Sequence, residues 1–227
     1  MRCILVVNGA PPPRATANAL LDALLGADIR YVATREARMP AMDEVAAQLQ
    51  RDGRRPYVIP VGASTPLGAA AFAQAIDELI AQGPAPDAIV HATSSGGTQT
   101  GLIAGCLNAG VKTRVIGVSA DESSASLAND IRTLLEGVAP LIGADRGVLD
   151  RAVVEVDDSF VGAGYGVPTA GSQEALELAA RTEAIFLDHT YTAKAMAGLI
   201  ARVRQGEFGE DQTVLFWHTG GQVALFQ

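Results

Sequence analysis

The sequence predicts an α/β protein whose parallel sheets are covered by helices on both faces. Apolar runs of four to six residues recur along the chain, and each gives way to an Ala/Leu-rich segment with apolar positions near a 3.6-residue period. Strand-then-helix order, repeated, requires crossover connections, and these build parallel sheets buried on both sides. Composition agrees: 227 residues, 48% hydrophobic and 19% charged, can bury a core in one large or two small domains.

Residues 3–7, Cys-Ile-Leu-Val-Val, form the first predicted strand, too short for a signal peptide's apolar region or a membrane span. Ala10-Pro11-Pro12-Pro13-Arg14 reads as a stiff, extended loop. Further strands are predicted at 28–33, 57–61, 88–92, 114–118, 153–156 and 214–217. Helices are predicted at 18–25, 41–49, 67–81, 99–109, 124–142, 172–182 and 192–204. The stretch 62–66 follows a strand and precedes a long helix, so it divides a small domain, 1–62, from a large one, 63–227.

Charge and residue usage exclude several function classes. With 25 acidic against 17 basic residues the net charge is −8, and no basic block is present, so small molecules rather than nucleic acid or membrane are the expected partners. Cys3 and Cys106 lack metal spacing and read as reduced, buried thiols of a cytoplasmic protein. Only Lys112 and Lys194 carry an amine side chain, a scarcity that matters for covalent cofactor chemistry.

Four clusters carry the candidate chemistry. Residues 90–102 read as a strand breaking into Ser94-Ser95-Gly96-Gly97-Thr98 and starting a helix. Its free N–H groups, at Gly97, Thr98 and Gln99, would meet a phosphate. A packing turn capped by Thr98 is the alternative. Gly162-Ala163-Gly164-Tyr165-Gly166 presents Tyr165 from a glycine-rich loop, as a functional phenol or as an aromatic plug. Leu187-Asp188-His189-Thr190-Tyr191-Thr192 reads as a strand end meeting a helix start, with Thr190 or Thr192 as cap and Tyr191 at the ligand side. His189 beside Asp188 is a catalytic pair only if the two do not diverge in space, and Lys194 reads as a solvated lysine or a core-lining stem. The strand 214–217 empties into His218-Thr219-Gly220-Gly221, where His218 is a base or a structural donor and Thr219 can hydrogen-bond a ring nitrogen.

Taken with Asn18-Ala19-Leu20-Leu21, Leu25-Gly26-Ala27-Asp28, Tyr57-Val58-Ile59-Pro60-Val61-Gly62 and Pro66-Leu67-Gly68, these clusters make the chain resemble the D-cysteine desulfhydrase and 1-aminocyclopropane-1-carboxylate deaminase family of fold-type II, tryptophan synthase β-like enzymes. The likeness covers nearly the whole length. It implies pyridoxal 5'-phosphate as cofactor, its phosphate held by Ser95, Gly96, Gly97 and Thr98 and its pyridine nitrogen near Thr219. It implies catalytic roles for Tyr191 and Tyr165, substrate contacts for Tyr165 and Thr192, no metal, an amino-acid substrate and a homodimer. The deaminase branch places a carboxylate after the tyrosine and an apolar residue between the histidine and Gly-Gly. Thr192 and Thr219 stand at those places here and resemble the desulfhydrase branch, which implies conversion of D-cysteine to pyruvate, ammonia and hydrogen sulfide. L-Cysteate sulfo-lyase and 1-aminocyclopropane-1-carboxylate deaminase activities are the alternatives. A neutral hydroxyl near the pyridine nitrogen leaves a modest electron sink, enough for α-proton removal and β-elimination.

In the family the Schiff-base lysine and a Ser-Asn-His turn lie ahead of the strand that matches residues 2–7, and neither Lys112 nor Lys194 matches that lysine. The expectation is therefore an incomplete small lobe and a truncated lyase inactive alone, whose edge beside residues 3–7 invites association. A catalytically dead binding or interaction protein is the alternative. A Rossmann-like nucleotide binder explains less, since the Gly-Gly loop lacks GxGxxG spacing and the nearest acidic candidate for a ribose, Asp121, lies past Ala120.

Overall fold

The computed structural model describes residues 1–226, with every side chain among them except that of Arg146. The chain divides into two compact units, Met1–Pro60 with Val223–Gln227, and Val61–Gln222.

The first unit is built on two parallel strands, β1 (Ile4–Asn8) and β2 (Asp28–Val32), paired from Ile4 opposite Asp28 to Asn8 opposite Val32. Helix α1 (Ala17–Leu24) makes the crossover between them, and α2 (Arg38–Arg51) follows. No residue of either helix is fully buried. Cys3, expected inside, is exposed, because it precedes the paired part of β1 and nothing covers it.

The second unit holds a four-stranded parallel sheet in the order β5-β4-β3-β6, formed by β3 (Ala88–Thr93), β4 (Arg114–Ser119), β5 (Glu155–Asp157) and β6 (Val214–Trp217). Alternation along β3 sends Ile89 to one face and Ala88, Val90 and Ala92 to the other. The first face is covered by α3 (Pro66–Gln82), α4 (Gly97–Asn108) and α5 (Ser124–Ile142), which pack Ile76, Leu102, Ile103, Leu127 and Ile131 onto Ile89 and Val115. On the second, α8 (Thr192–Arg204) sets Ala195 against Val90, Ile116 and Val118, with α7 (Ala170–Glu183) beside it. Helices α3 and α4 sit so close that a Cβ on Gly101 would lie 2.1 Å from the Ala69 carbonyl oxygen, so glycine is required there. At the outer rim, Arg114 grips the Glu155 carboxylate with two hydrogen bonds of 2.6 Å, and Arg202 reaches Asp157 at 2.9 Å and Glu207 at 2.7 Å.

Three local expectations fail for physical reasons. Residues 57–61 form no strand: Pro56 and Pro60 lack ladder donors, Tyr57 and Ile59 are exposed, and a 3-10 turn begins at Val61. Leu187-Asp188 does not end a strand, since residues 184–188 run as irregular chain after α7. A short helix, α6 (Arg146–Leu149), occupies a stretch left without an assignment, and the strand expected at 153–156 begins later, at Glu155.

Candidate active site

All four strands of the larger sheet run parallel, so the segments that follow them gather along one edge. From β3 the chain steps outward to β4 and β5, then returns to place β6 on the other side of β3. That reversal makes the carboxyl ends of β3 and β6 the switch point where open α/β sheets take their ligands.

The segment leaving β3 builds an anion cradle. Gly96 is left-handed, with φ 78°, and serves as N-cap of α4 without any side-chain cap, so Thr98 is not the cap that a mere packing turn would use. The Gly97 N–H donates to Ser64 Oγ at 3.2 Å, and Ser64 Oγ donates to Ser95 Oγ at 2.7 Å. A Cβ on Gly97 would stand 2.7 Å from that Ser64 oxygen, so only glycine lets the backbone approach. The next N–H groups, of Thr98 and Gln99, belong to the first helical turn and lack intrahelical acceptors. Together with the helix dipole they favour an anion. Ser95, Gly96, Gly97 and Thr98 line this turn, and the Gly97 N–H, expected to be free, is taken by Ser64 Oγ. Ser64, from the turn ahead of α3, is an addition no local motif announced.

The tyrosines meet. Tyr165, half-exposed in the loop after β5, and Tyr191, at the N-terminus of α8, share a hydrogen bond between their hydroxyls, with rings edge-to-face at 5.7 Å. Burial pushes the Tyr191 phenol well up from its ordinary range, and the bond to Tyr165 and the charges of Asp121 and Asp188 push the same way. It therefore keeps its proton.

Asp188 builds the turn that presents Tyr191. Its buried carboxylate accepts the N–H groups of Thr190, Tyr191 and Thr192, each at 2.9 Å, and the Thr192 hydroxyl at 2.7 Å. The carboxylate, rather than Thr190 or Thr192, thus serves the helix start. Thr192, expected to touch substrate, is buried with its hydroxyl spent on Asp188, because it lies inside the first turn of α8 and not at the mouth. The His189–Asp188 pair does not form, since the carboxylate is occupied by these backbone donors.

After β6, His218 is structural: Gly220 N–H donates to its Nδ1 at 3.0 Å, which leaves the proton on Nε2 to reach the Phe186 carbonyl at 3.0 Å. Thr219, next along the chain, is exposed beyond the carboxyl end of β6. Lys194 is neither a solvated lysine nor a simple stem. It is fully buried, and its Nζ donates to the carbonyls of Ala120 at 3.1 Å, Val161 at 2.8 Å and Gly164 at 2.8 Å. Lys112 lies beyond the far end of α4, about 18 Å from its start at 1.5 Å rise per residue, beside a 410 Å³ cavity it shares with Cys106 and Arg114. The cradle and tyrosines suit a phosphate-bearing aromatic cofactor; the Lys194 amine is engaged on three carbonyls, and Lys112 lies at the far end of α4 from the cradle. Among the described residues no cluster of His, Cys, Asp or Glu is placed to hold a metal ion, and no helix is long and apolar enough to cross a membrane.

Comparison with known proteins places this geometry. A family model described as pyridoxal-phosphate dependent enzyme matches residues 1–220. The chain is 35% identical to a 1-aminocyclopropane-1-carboxylate deaminase of Burkholderia multivorans, covering 99% of this chain and 70% of that protein. A putative 1-aminocyclopropane-1-carboxylate deaminase of Pyrococcus furiosus is 34% identical over 98% of this chain and 67% of that protein. Among solved structures, a homologue of that deaminase superposes with a TM-score of 0.87 at 27% identity, covering 99% of this chain and 76% of the other. An aspartate racemase dependent on pyridoxal 5'-phosphate shares the fold, with a TM-score of 0.62 at 16% identity over 97% of this chain and 66% of its own.

Proposed function

Since the chain belongs to the pyridoxal-phosphate dependent enzymes of the 1-aminocyclopropane-1-carboxylate deaminase type, we propose that its larger unit binds pyridoxal 5'-phosphate at the carboxyl edge of the sheet for β-elimination from D-cysteine. The observation that carries this reading is the anion cradle of Ser95, Gly96, Gly97 and Thr98 sharing one sheet edge with the Tyr165–Tyr191 pair. When bound, the cofactor supplies an electron sink for bond cleavage at the α-carbon of an amino acid. Ser64, Ser95 and the N–H groups of Thr98 and Gln99 would hold its phosphate, and Thr219 would offer a neutral hydroxyl toward its ring nitrogen. Tyr191, whose phenol retains its proton, acts as a donor at the substrate, and Tyr165 orients it.

Two features favour D-cysteine over 1-aminocyclopropane-1-carboxylate. Threonine, not a carboxylate, follows Tyr191, and the neighbouring Asp188 is saturated by its own turn. The names of the relatives favour the deaminase as the second reading. L-Cysteate, with its anionic leaving group, is a third substrate to test. We read the protein as a cytoplasmic homodimer; the absence of a disulfide between Cys3 and Cys106 suits a reducing compartment and bears only on the first part of that reading.

The two lysines are engaged or remote, so the chain alone is expected to bind the cofactor without turning it over. Absorbance titration with pyridoxal phosphate tests binding, with inorganic phosphate as competitor. Borohydride reduction then tests attachment: labelling of Lys112 or Lys194 would overturn the assignment. Sulfide and pyruvate from D-cysteine, once an amine is supplied, support the desulfhydrase reading. Ammonia from 1-aminocyclopropane-1-carboxylate with no sulfide from D-cysteine would replace it.

A further inference from the structure

We propose that Lys194 is a positioning residue: its ammonium is a built-in monovalent cation in a three-carbonyl cage, and it holds the Tyr165 loop against Tyr191. The proposal rests on the functional reading of that tyrosine pair.

An ammonium has three N–H donors, and here all three are used on backbone carbonyls. One acceptor, Ala120, directly follows β4, is buried, and is itself fastened by its N–H to the Thr93 carbonyl at 2.9 Å. The other two, Val161 and Gly164, belong to the loop that carries Tyr165. That loop has little order of its own. Gly162, Gly164 and Gly166 all have positive φ, and the backbone bonds within it, Val161 N–H to Asp158 and Val167 N–H to Gly164, are long at 3.4 and 3.3 Å. The lysine therefore ties the loop to α8 with two bonds of 2.8 Å, shorter than the backbone bonds within the loop. The geometry closes a ring: Lys194 to Gly164, along the chain to Tyr165, across to Tyr191, and one helical turn back to Lys194. Burial pushes the Lys194 amine down from its ordinary range, and the charge of Asp121 opposes that shift.

Carbonyl oxygens gathered in this way are the groups that replace the hydration shell of K⁺ in a protein. If the cage is a cation site filled by a tethered ammonium, removing the tether leaves a site that a free cation refills. Packing alone gives no such behaviour.

The test uses the full chain as Lys194→Ala, which empties the cage, and Lys194→Met, which fills it without charge and guards against collapse of the alanine variant. Amide hydrogen exchange read by mass spectrometry should show residues 159–168 exchanging at least about ten-fold faster in both variants, while segments from β3 and α4 keep their protection. Ammonium or potassium chloride should restore protection in Lys194→Ala and not in Lys194→Met, with tetramethylammonium chloride at equal ionic strength restoring neither. Unchanged exchange at 159–168, or a rise across all segments that no cation reverses, would overturn the proposal. Titration of the parent chain with pyridoxal phosphate separates the two claims. Failure to bind with the exchange pattern intact removes the functional reading and leaves the cage, whereas binding with an insensitive loop removes the cage.

Discussion

The two units use their apolar residues very differently. Every buried side chain of the described core falls between Ala69 and Ala197, inside the second unit, and none falls in Met1–Pro60. Helix α1, with three leucines in eight residues, buries nothing. Helix α4, rich in glycine and small residues, buries nine of its twelve positions. Apolar content therefore does not decide burial here; the number of layers over each strand does. A sheet of two strands has little interior to offer, whereas β3 and β4 are flanked by strands and covered by helices on both faces.

Substitutions break or sharpen this contrast. The largest effect is expected from Leu102→Ala in α4: the side chain is fully buried, and its loss should cost about 3–5 kcal/mol in urea unfolding. Next comes acid. His91, at the centre of β3, is buried and its imidazole is pushed down from 6.5 to about 4 by desolvation, while Nδ1 reaches the Ala92 carbonyl at 2.8 Å. Between those values the unfolded chain binds the proton and the folded chain does not, so this contribution is complete above about pH 6.5 and lost as pH falls toward 4, on the order of 3 kcal/mol in all. Melting curves of the parent and of His91→Gln across that window should show the steeper slope in the parent. A variant as acid-sensitive as the parent would assign the slope elsewhere. The smallest effect is expected from Leu24→Ser, at a side chain 73% exposed, which should move stability by no more than about 0.5 kcal/mol. A cost like that of Leu102→Ala would erase the distinction between the units.

What the sequence made legible follows the same physics. Strands β3, β4 and β6 are continuous apolar runs because both their faces are covered, and the Ser/Gly turn into α4 was readable because strand, turn and helix start are contiguous. The tyrosines were singled out by glycines and by position, but their meeting spans 26 residues and has no local signature. Lys194 misled more deeply. In a helix of alanines a lysine reads as solvated, and its three acceptors lie 74, 33 and 30 residues away. Ser64 was hidden for the same reason, 31 residues from its partner Ser95. The apolar run at 57–61 had the composition of a strand, yet its flanking prolines remove the donors a ladder needs.

The ion pairs on β5 have a consequence for how these molecules behave at high concentration. This three-residue strand is an outer edge of the sheet, and an uncovered edge is a template onto which a second chain can add as a strand. Glu155 and Asp157 meet that hazard with carboxylates fixed by Arg114 and Arg202. An incoming chain would have to disrupt paired charges before it found the backbone. Fibril-like growth should then start at β1, whose run of Ile4, Leu5, Val6 and Val7 carries no charge, whereas its partner β2 holds Asp28 paired with Arg2 at 2.7 Å.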